Sequence, residues 1–269
     1  MSSKISDHLF LYLDMLGFRE LLADPSQVEE LYAVVDSLNV FTHDAFECIV
    51  FSDTLLIYDK SPISTDDERT KISIMWLCEF AQDLLYRLIP RDRHFRALLT
   101  CGPFKSRDLV NFKYFYGQAL VDTYEYESKI QSTGLYIDNR LTPHSNIFKT
   151  SKCDEKYDYV YLTQDMNTIA EQYETYDPKQ HAYFIEAQGL EGLYIYDFLY
   201  LENIYRNMND ATLPNSVRTK YQNTWSFLQR KYDRVMAELI ANSFDPRCII
   251  DLDWQYWVDR IRKGDGFHG

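Results

Sequence analysis

The order of apolar runs along the 269-residue chain predicts an α+β fold: a ferredoxin-like βαββαβ core, an extended antiparallel sheet and a C-terminal helical extension. Three observations predict it. An apolar run from Leu9 stops at Asp14 and is followed by Gly17, as a buried strand delivering a carboxylate to its end would read. Two short apolar runs, 48–51 and 54–58, are separated only by Ser52-Asp53, the pattern of a tight hairpin. Stretches of helical spacing lie between these strands and a further one at 95–102.

Each element follows in chain order. Gly17 and Phe18 open a helical stretch, and Pro25-Ser26 starts another in which Val28, Leu31, Val34, Val35 and Leu38 recur at helical spacing. After the hairpin, a polar loop at 61–68 leads to a long helix with Ile72, Met75, Trp76, Phe80, Leu84, Leu85 and Leu88 on one face, stopped by Pro90. Further on, 134–138 and 157–162 read as strands, and 183–185 with 193–196 as a hairpin around Gly189 and Gly192. A long helix at 215–242 carries Val217, Tyr221, Trp225, Leu228, Tyr232, Val235 and Leu239, and a last one near 250–263 carries Trp254, Trp257 and Ile261. The expected domains are a catalytic one over 1–200 and a helical extension over 201–269, packed on the core or across a dimer.

Composition excludes several classes. A net charge of −13 offers no extended basic surface for nucleic acid or an anionic membrane. No window is apolar enough to span a bilayer, and the N-terminus has no signal-peptide pattern, so a cytoplasmic protein is expected. Five dispersed cysteines without zinc-ligand spacing read as reduced residues in apolar surroundings. His43, His94 and His144 have no partner at ligand spacing and read as surface or capping residues.

In a βαββαβ sheet the first strand lies beside the third, so Asp14 and Asp53 can meet at one edge although 39 positions separate them. Two adjacent carboxylates repel unless a cation sits between them, and hard divalent ions suit such a pair.

Four segments then carry a resemblance: Asp14-Met15-Leu16-Gly17-Phe18, Phe51-Ser52-Asp53, the strand at 96–102 and the glycine-led stretch at 116–128. In order and spacing they resemble the class III nucleotidyl cyclases over roughly residues 8 to 200, and the last segment resembles the bacterial pyrimidine cyclases of antiphage signalling (Pycsar). The resemblance implies a palm-like core and conversion of a nucleoside triphosphate to its 3′,5′-cyclic monophosphate and pyrophosphate. Asp14, Asp53 and the Met15 carbonyl would hold two divalent ions, Mn²⁺ or Mg²⁺. Amides near Leu16, Gly17 and Phe18 would cradle the triphosphate. The base-reading positions are Ile49 and Tyr114; neither carries a purine signature, and the bulky aromatic favours a pyrimidine, UTP ahead of CTP. Where purine cyclases carry Asn and Arg, this chain has Val121 and Glu125. A replacement cation must therefore come from elsewhere, and of Arg91, Arg93, Arg96 and Lys129, Arg96 is the best placed. The family also implies a homodimer with shared sites. A purine cyclase or other palm-like nucleotidyltransferase, and a degenerate non-catalytic nucleotide-binding module, stand as alternatives.

Overall fold

The computed structural model describes residues 5–63, 67–175 and 177–263, and the chain divides into two compact units, one of residues 1–85 and 94–162 and one of 86–93 and 163–269. The first unit is built on β1 (Asp7–Met15), β2 (Phe46–Phe51), β3 (Thr54–Asp59), β4 (Phe95–Pro103), β5 (Lys105–Asp108), β6 (Lys113–Tyr116), β7 (Gly134–Asp138), β8 (Thr150–Lys152) and β9 (Tyr157–Val160). Seven of these form one sheet in the order β2-β3-β1-β4-β7-β9-β8, and β5 and β6 pair separately. All pairings are antiparallel except β4 with β7. The α+β class and the extended antiparallel sheet expected from the sequence are what the chain adopts.

β1 is central, bonded to β3 on one side and β4 on the other, which explains its uninterrupted apolar run: Leu9, Leu11 and Leu13 fill one face, Phe10 and Tyr12 the other, all buried. The helices of this unit are α1 (Phe18–Leu21), α2 (Pro25–Asp36), α3 (Asp67–Leu88, its last turn in the second unit) and α4 (Gln118–Glu127). Asp24 caps α2 by accepting from the Ser26 N–H at 3.1 Å, with Pro25 in the first turn where no amide partner is needed. In α3 the buried stripe is Ile74, Leu77, Ala81, Leu84, Leu85 and Leu88; Ile72 is half exposed, because the 3.6-residue period from Leu88 back through Leu77 lands on Ile74. α4 packs on β4 so closely that a Cβ at Gly117 would lie 2.1 Å from the Pro103 carbonyl oxygen.

The second unit contains α5 (Gln164–Gln172), α6 (Pro178–Gln188), α7 (Glu191–Asn209), α8 (Asn215–Ala241) and α9 (Gln255–Arg262). The expected hairpin of 183–196 is instead the end of α6 and the start of α7. Gly189 (φ 66°) is a helix stop: the Leu190 amide reaches back to the Ile185 carbonyl at 3.1 Å, satisfying an end-of-helix acceptor. α7 is buried all round from Tyr194 to Leu201, so no polar stripe marks its period and its aromatic run reads as strand. Among the described residues strand structure therefore ends at Val160, and the helical part begins at Gln164 rather than after residue 200. α8 carries the expected stripe, with Tyr221, Trp225, Leu228, Val235 and Leu239 buried, and is kinked at Tyr232 (φ −120°, ψ 27°). Trp254 precedes α9 and donates its indole N–H to the Ile250 carbonyl at 3.0 Å. Among the described residues no helix is long and apolar enough to cross a membrane.

Candidate functional site

The register of β1 with β3 sets Asp14 opposite Thr54, and the Met15 N–H donates to the Asp53 carbonyl at 2.9 Å. The carboxyl end of β1 is thus closed onto the β2–β3 turn, and Asp14 and Asp53 share one sheet edge. Ser52 in that turn adopts the left-handed region (φ 54°), a conformation that costs a non-glycine residue about 1 kcal/mol or more. The turn is braced from α2, where the Tyr32 hydroxyl donates to the Ser52 carbonyl at 3.1 Å and its ring lies 6.3 Å from Phe18.

β4 places Arg96 opposite Asp14 on the other side of β1. Its Nη2 lies 3.5 Å from Asp14 Oδ2 and ion-pairs with Glu127 at the end of α4, while Nη1 donates to the Ile130 carbonyl at 2.6 Å. Burial lowers the Arg96 pKa and the Asp14 charge opposes that shift. Tyr12, two residues before Asp14 on the same face, is buried. Burial raises its pKa; a hydrogen bond with Thr54 works against this, and the charges of Asp14 and Asp53 add to it. One phenol therefore senses both aspartates.

Neither Glu127 nor Tyr12 is marked by the sequence as a site residue. Tyr12 reads as one more apolar member of a strand, and Glu127 lies on a helix 31 positions from its arginine. Glu127 answers the Arg96 charge, leaving Asp14 and Asp53 as net negative charge on oxygen donors, the hard ligands that magnesium or manganese accept. Among the described residues no three His, Cys, Asp or Glu side chains gather as a metal set. Any ion at Asp14 and Asp53 would thus draw its remaining ligands from backbone, water or substrate phosphates, as magnesium commonly does.

The other candidate residues fall in different places. The Leu16 amide donates to the His94 carbonyl at 2.9 Å, so it is already committed and does not join a phosphate cradle as expected. Gly17 adopts φ 78° and precedes α1, which is one turn long and has a correspondingly small dipole. Phe18 is buried. Ile49 lies on β2, packed against the cluster of Phe10, Tyr12, Leu56, Tyr58, Phe104 and Ala119. Tyr114 sits on β6, outside the sheet that carries the aspartates, with its ring stacked 5.9 Å from Tyr116. Val121, Tyr124 and Glu125 form an exposed row on α4. Arg91 donates to the Arg87 carbonyl and Lys129 lies over the Tyr126 ring, whereas Arg96 is bonded to Asp14. Of the histidines, His94 departs from the surface or capping expectation and is buried, whereas His43 caps the turn at 39–42, its ring tilted 4.1 Å from Trp76.

No protein-family model matches the chain, and no curated protein matches it in sequence. Among solved structures, the chain is similar to the guanylate cyclase domain of RhGC from Catenaria anguillulae in complex with GTP: 13% identity, 58% of this chain and 97% of that one, TM-score 0.44. It is similar to the adenylyl cyclase CyaB from P. aeruginosa, at 8% identity over 58% of this chain and 94% of that one, TM-score 0.44. A dimeric guanylyl cyclase domain of the RhoGC fusion protein from the aquatic fungus Blastocladiella emersonii gives 14% identity, 58% and 96% coverage, and a TM-score of 0.42.

Proposed function

We propose that the first unit is a metal-dependent nucleotidyl cyclase acting on a pyrimidine nucleoside triphosphate, UTP ahead of CTP, to make a signalling cyclic mononucleotide of the antiphage type. The observation that carries this reading is the meeting of Asp14 and Asp53 at one sheet edge, closed by the Met15–Asp53 backbone bond. The four sequence segments in cyclase order support it, and two of them supply these aspartates.

The chemistry is an in-line displacement: the ribose 3′-oxygen bonds to the α-phosphorus, the bond to the departing pyrophosphate breaks, and the hydroxyl proton is released. Asp14, Asp53 and the Met15 carbonyl would hold divalent ions, which supply charge compensation for the phosphates and acidify the attacking hydroxyl. The chain's own part is positioning. Arg96, held by Glu127 and the Ile130 carbonyl, fixes Asp14, and Tyr12 with Thr54 floors the edge beside it. Ile49 and Tyr114 are the proposed base contacts, and the exposed row Val121, Tyr124 and Glu125 with Tyr114 would serve the aspartates of a second copy. A second reading, a nucleotide-binding module without turnover, is favoured by the Arg96 guanidinium standing at Asp14.

One assay separates them. Purified protein with Mn²⁺ and ATP, GTP, CTP or UTP, analysed by mass spectrometry, is expected to yield the cyclic product of a pyrimidine nucleotide. Asp53→Ala is expected to lower the yield by about 100-fold or more. A purine product would move the substrate assignment, absence of any cyclic product would leave the binding module, and full activity in Asp53→Ala would overturn the metal mechanism.

A further inference from the structure

Six residues upstream of Asp14 on β1, His8 lines a cavity of about 420 Å³ in the first unit. At the rise of an extended strand this is about 20 Å from Asp14, on the same face by alternation. The cluster of Phe10, Tyr12, Leu56, Tyr58, Phe104 and Ala119 fills that face in between. Buried aromatic rings lie beneath the cavity lining, Phe104 being 4.9 Å from the Tyr58 ring and 6.1 Å from the half-buried His8. Its lining includes three lysines, Lys60, Lys105 and Lys113, against two carboxylates, Glu47 and Asp108, a local excess of positive charge in a chain of net charge −13.

The hydrogen bonds show how this charge is arranged. The buried Tyr58 hydroxyl lies 2.7 Å from Glu47 Oε2 and 2.8 Å from Ser106 Oγ. It has one proton, and the carboxylate is the stronger acceptor, so Tyr58 donates to Glu47 and accepts from Ser106. The other oxygen of Glu47 bonds Lys113. Glu47 is therefore consumed within the wall, with Lys113 fixed against it, and Asp108 is largely exposed with its Oδ1 3.9 Å from Lys113. The other two cations of the lining are the exposed Lys60, whose charge also acts on Glu47, and the half-buried Lys105. His8 is oriented by its Nδ1, 2.9 Å from the Asp59 carbonyl; that nitrogen must carry the proton to bond a carbonyl, which leaves Nε2 as the other hydrogen-bonding atom of the ring.

We infer that this cavity binds a small phosphate monoester, its dianion held by Lys60 and Lys105 and its organic part packed against His8. The volume lies in the range of small-molecule sites and exceeds what a bare phosphate ion fills. The inference does not rest on the cyclase reading, because it uses neither Asp14 nor Asp53.

The test is calorimetric titration of the full chain with ribose 5-phosphate, inorganic phosphate and ribose, in EDTA without divalent ions so that Asp14 and Asp53 hold no metal. Ribose 5-phosphate is expected to bind with Kd below about 1 mM, inorganic phosphate more weakly, and ribose not at all. Lys60→Ala and Lys105→Ala should each weaken it about tenfold, with unchanged thermal melting, and Asp53→Ala should leave it intact. Absence of saturable binding by the unmodified chain to about 10 mM would overturn the site. So would unchanged binding in the Lys60→Ala/Lys105→Ala double variant, or loss of binding in Asp53→Ala. Equal affinity for inorganic phosphate and ribose 5-phosphate would overturn the monoester assignment.

Discussion

Asp197, fully buried in the second unit, carries a like-charged neighbour: the Asp165 charge raises its pKa on top of the larger effect of burial, and burial pushes Asp165 itself up to about 6. Asp197 accepts from the Asp165 and Met166 amides at 3.1 and 3.2 Å, at the start of α5, and from the Tyr86 hydroxyl at 3.2 Å. These bonds stabilise one negative charge and cannot serve two. A carboxyl whose folded pKa exceeds its unfolded value of about 3.8 favours folding while protonated, and that contribution is lost as pH rises through about 6. The melting temperature is therefore expected to rise as pH falls from 7 to 5. Asp165→Asn should raise stability at pH 7 by about 1–3 kcal/mol and flatten the pH dependence, read by differential scanning calorimetry. A variant no more stable than the parent at pH 7 would show that the pair is not strained. In the first unit the buried carboxylate Glu127 instead faces a cation, the Arg96 guanidinium, which also reaches Asp14.

At the scale of elements, the junction of β4 with α4 turns on Gly117. Its φ of 169° is ordinary extended backbone, so the requirement is space: a methyl group would meet the Pro103 carbonyl oxygen at 2.1 Å and the Phe104 Cα at 2.8 Å. Gly117→Ala is expected to destabilise by about 2–4 kcal/mol in urea unfolding, since backbone on both sides must move. The elements differ in how far the sequence reveals them. β1, the β2–β3 hairpin, α2, β4 and α8 are legible because each has one clean period or a turn residue at its end, and the hairpin with β1 is what brings Asp14 to Asp53. α7 is illegible because it is buried all round, and β5 (Lys-Ser-Arg-Asp) because a polar strand on a two-stranded ribbon has no apolar face to announce it. The same distinction runs through the site. Asp14 and Asp53 end apolar runs and can be read, whereas Glu127 and Tyr12 take their meaning from partners that only the tertiary fold supplies.

For the molecule as a whole, the first unit exposes Phe51, Val110, Phe112, Tyr116, Val121 and Tyr124; Val110 is 98% and Phe51 77% exposed. Exposed aromatic and aliphatic residues in such number suit a protein interface. A homodimer is expected in light scattering, twice the 32.0 kDa of the chain, and Phe112→Glu with Tyr124→Glu should shift it to monomer and abolish turnover together. A monomeric parent would remove the shared-site arrangement. The central place of β1 has one more consequence, for synthesis. Phe10 pairs with Thr100, 90 positions later, so the most apolar strand leaves the ribosome long before its partner on that side exists. At about 5–20 residues per second the wait is roughly 5–20 s, during which an unpaired strand of Leu, Phe and Tyr is open to wrong pairing. The antiparallel partner β3 arrives about halfway through, which makes the β1–β3 pair, and with it the edge shared by Asp14 and Asp53, the first long-range structure the nascent chain can form.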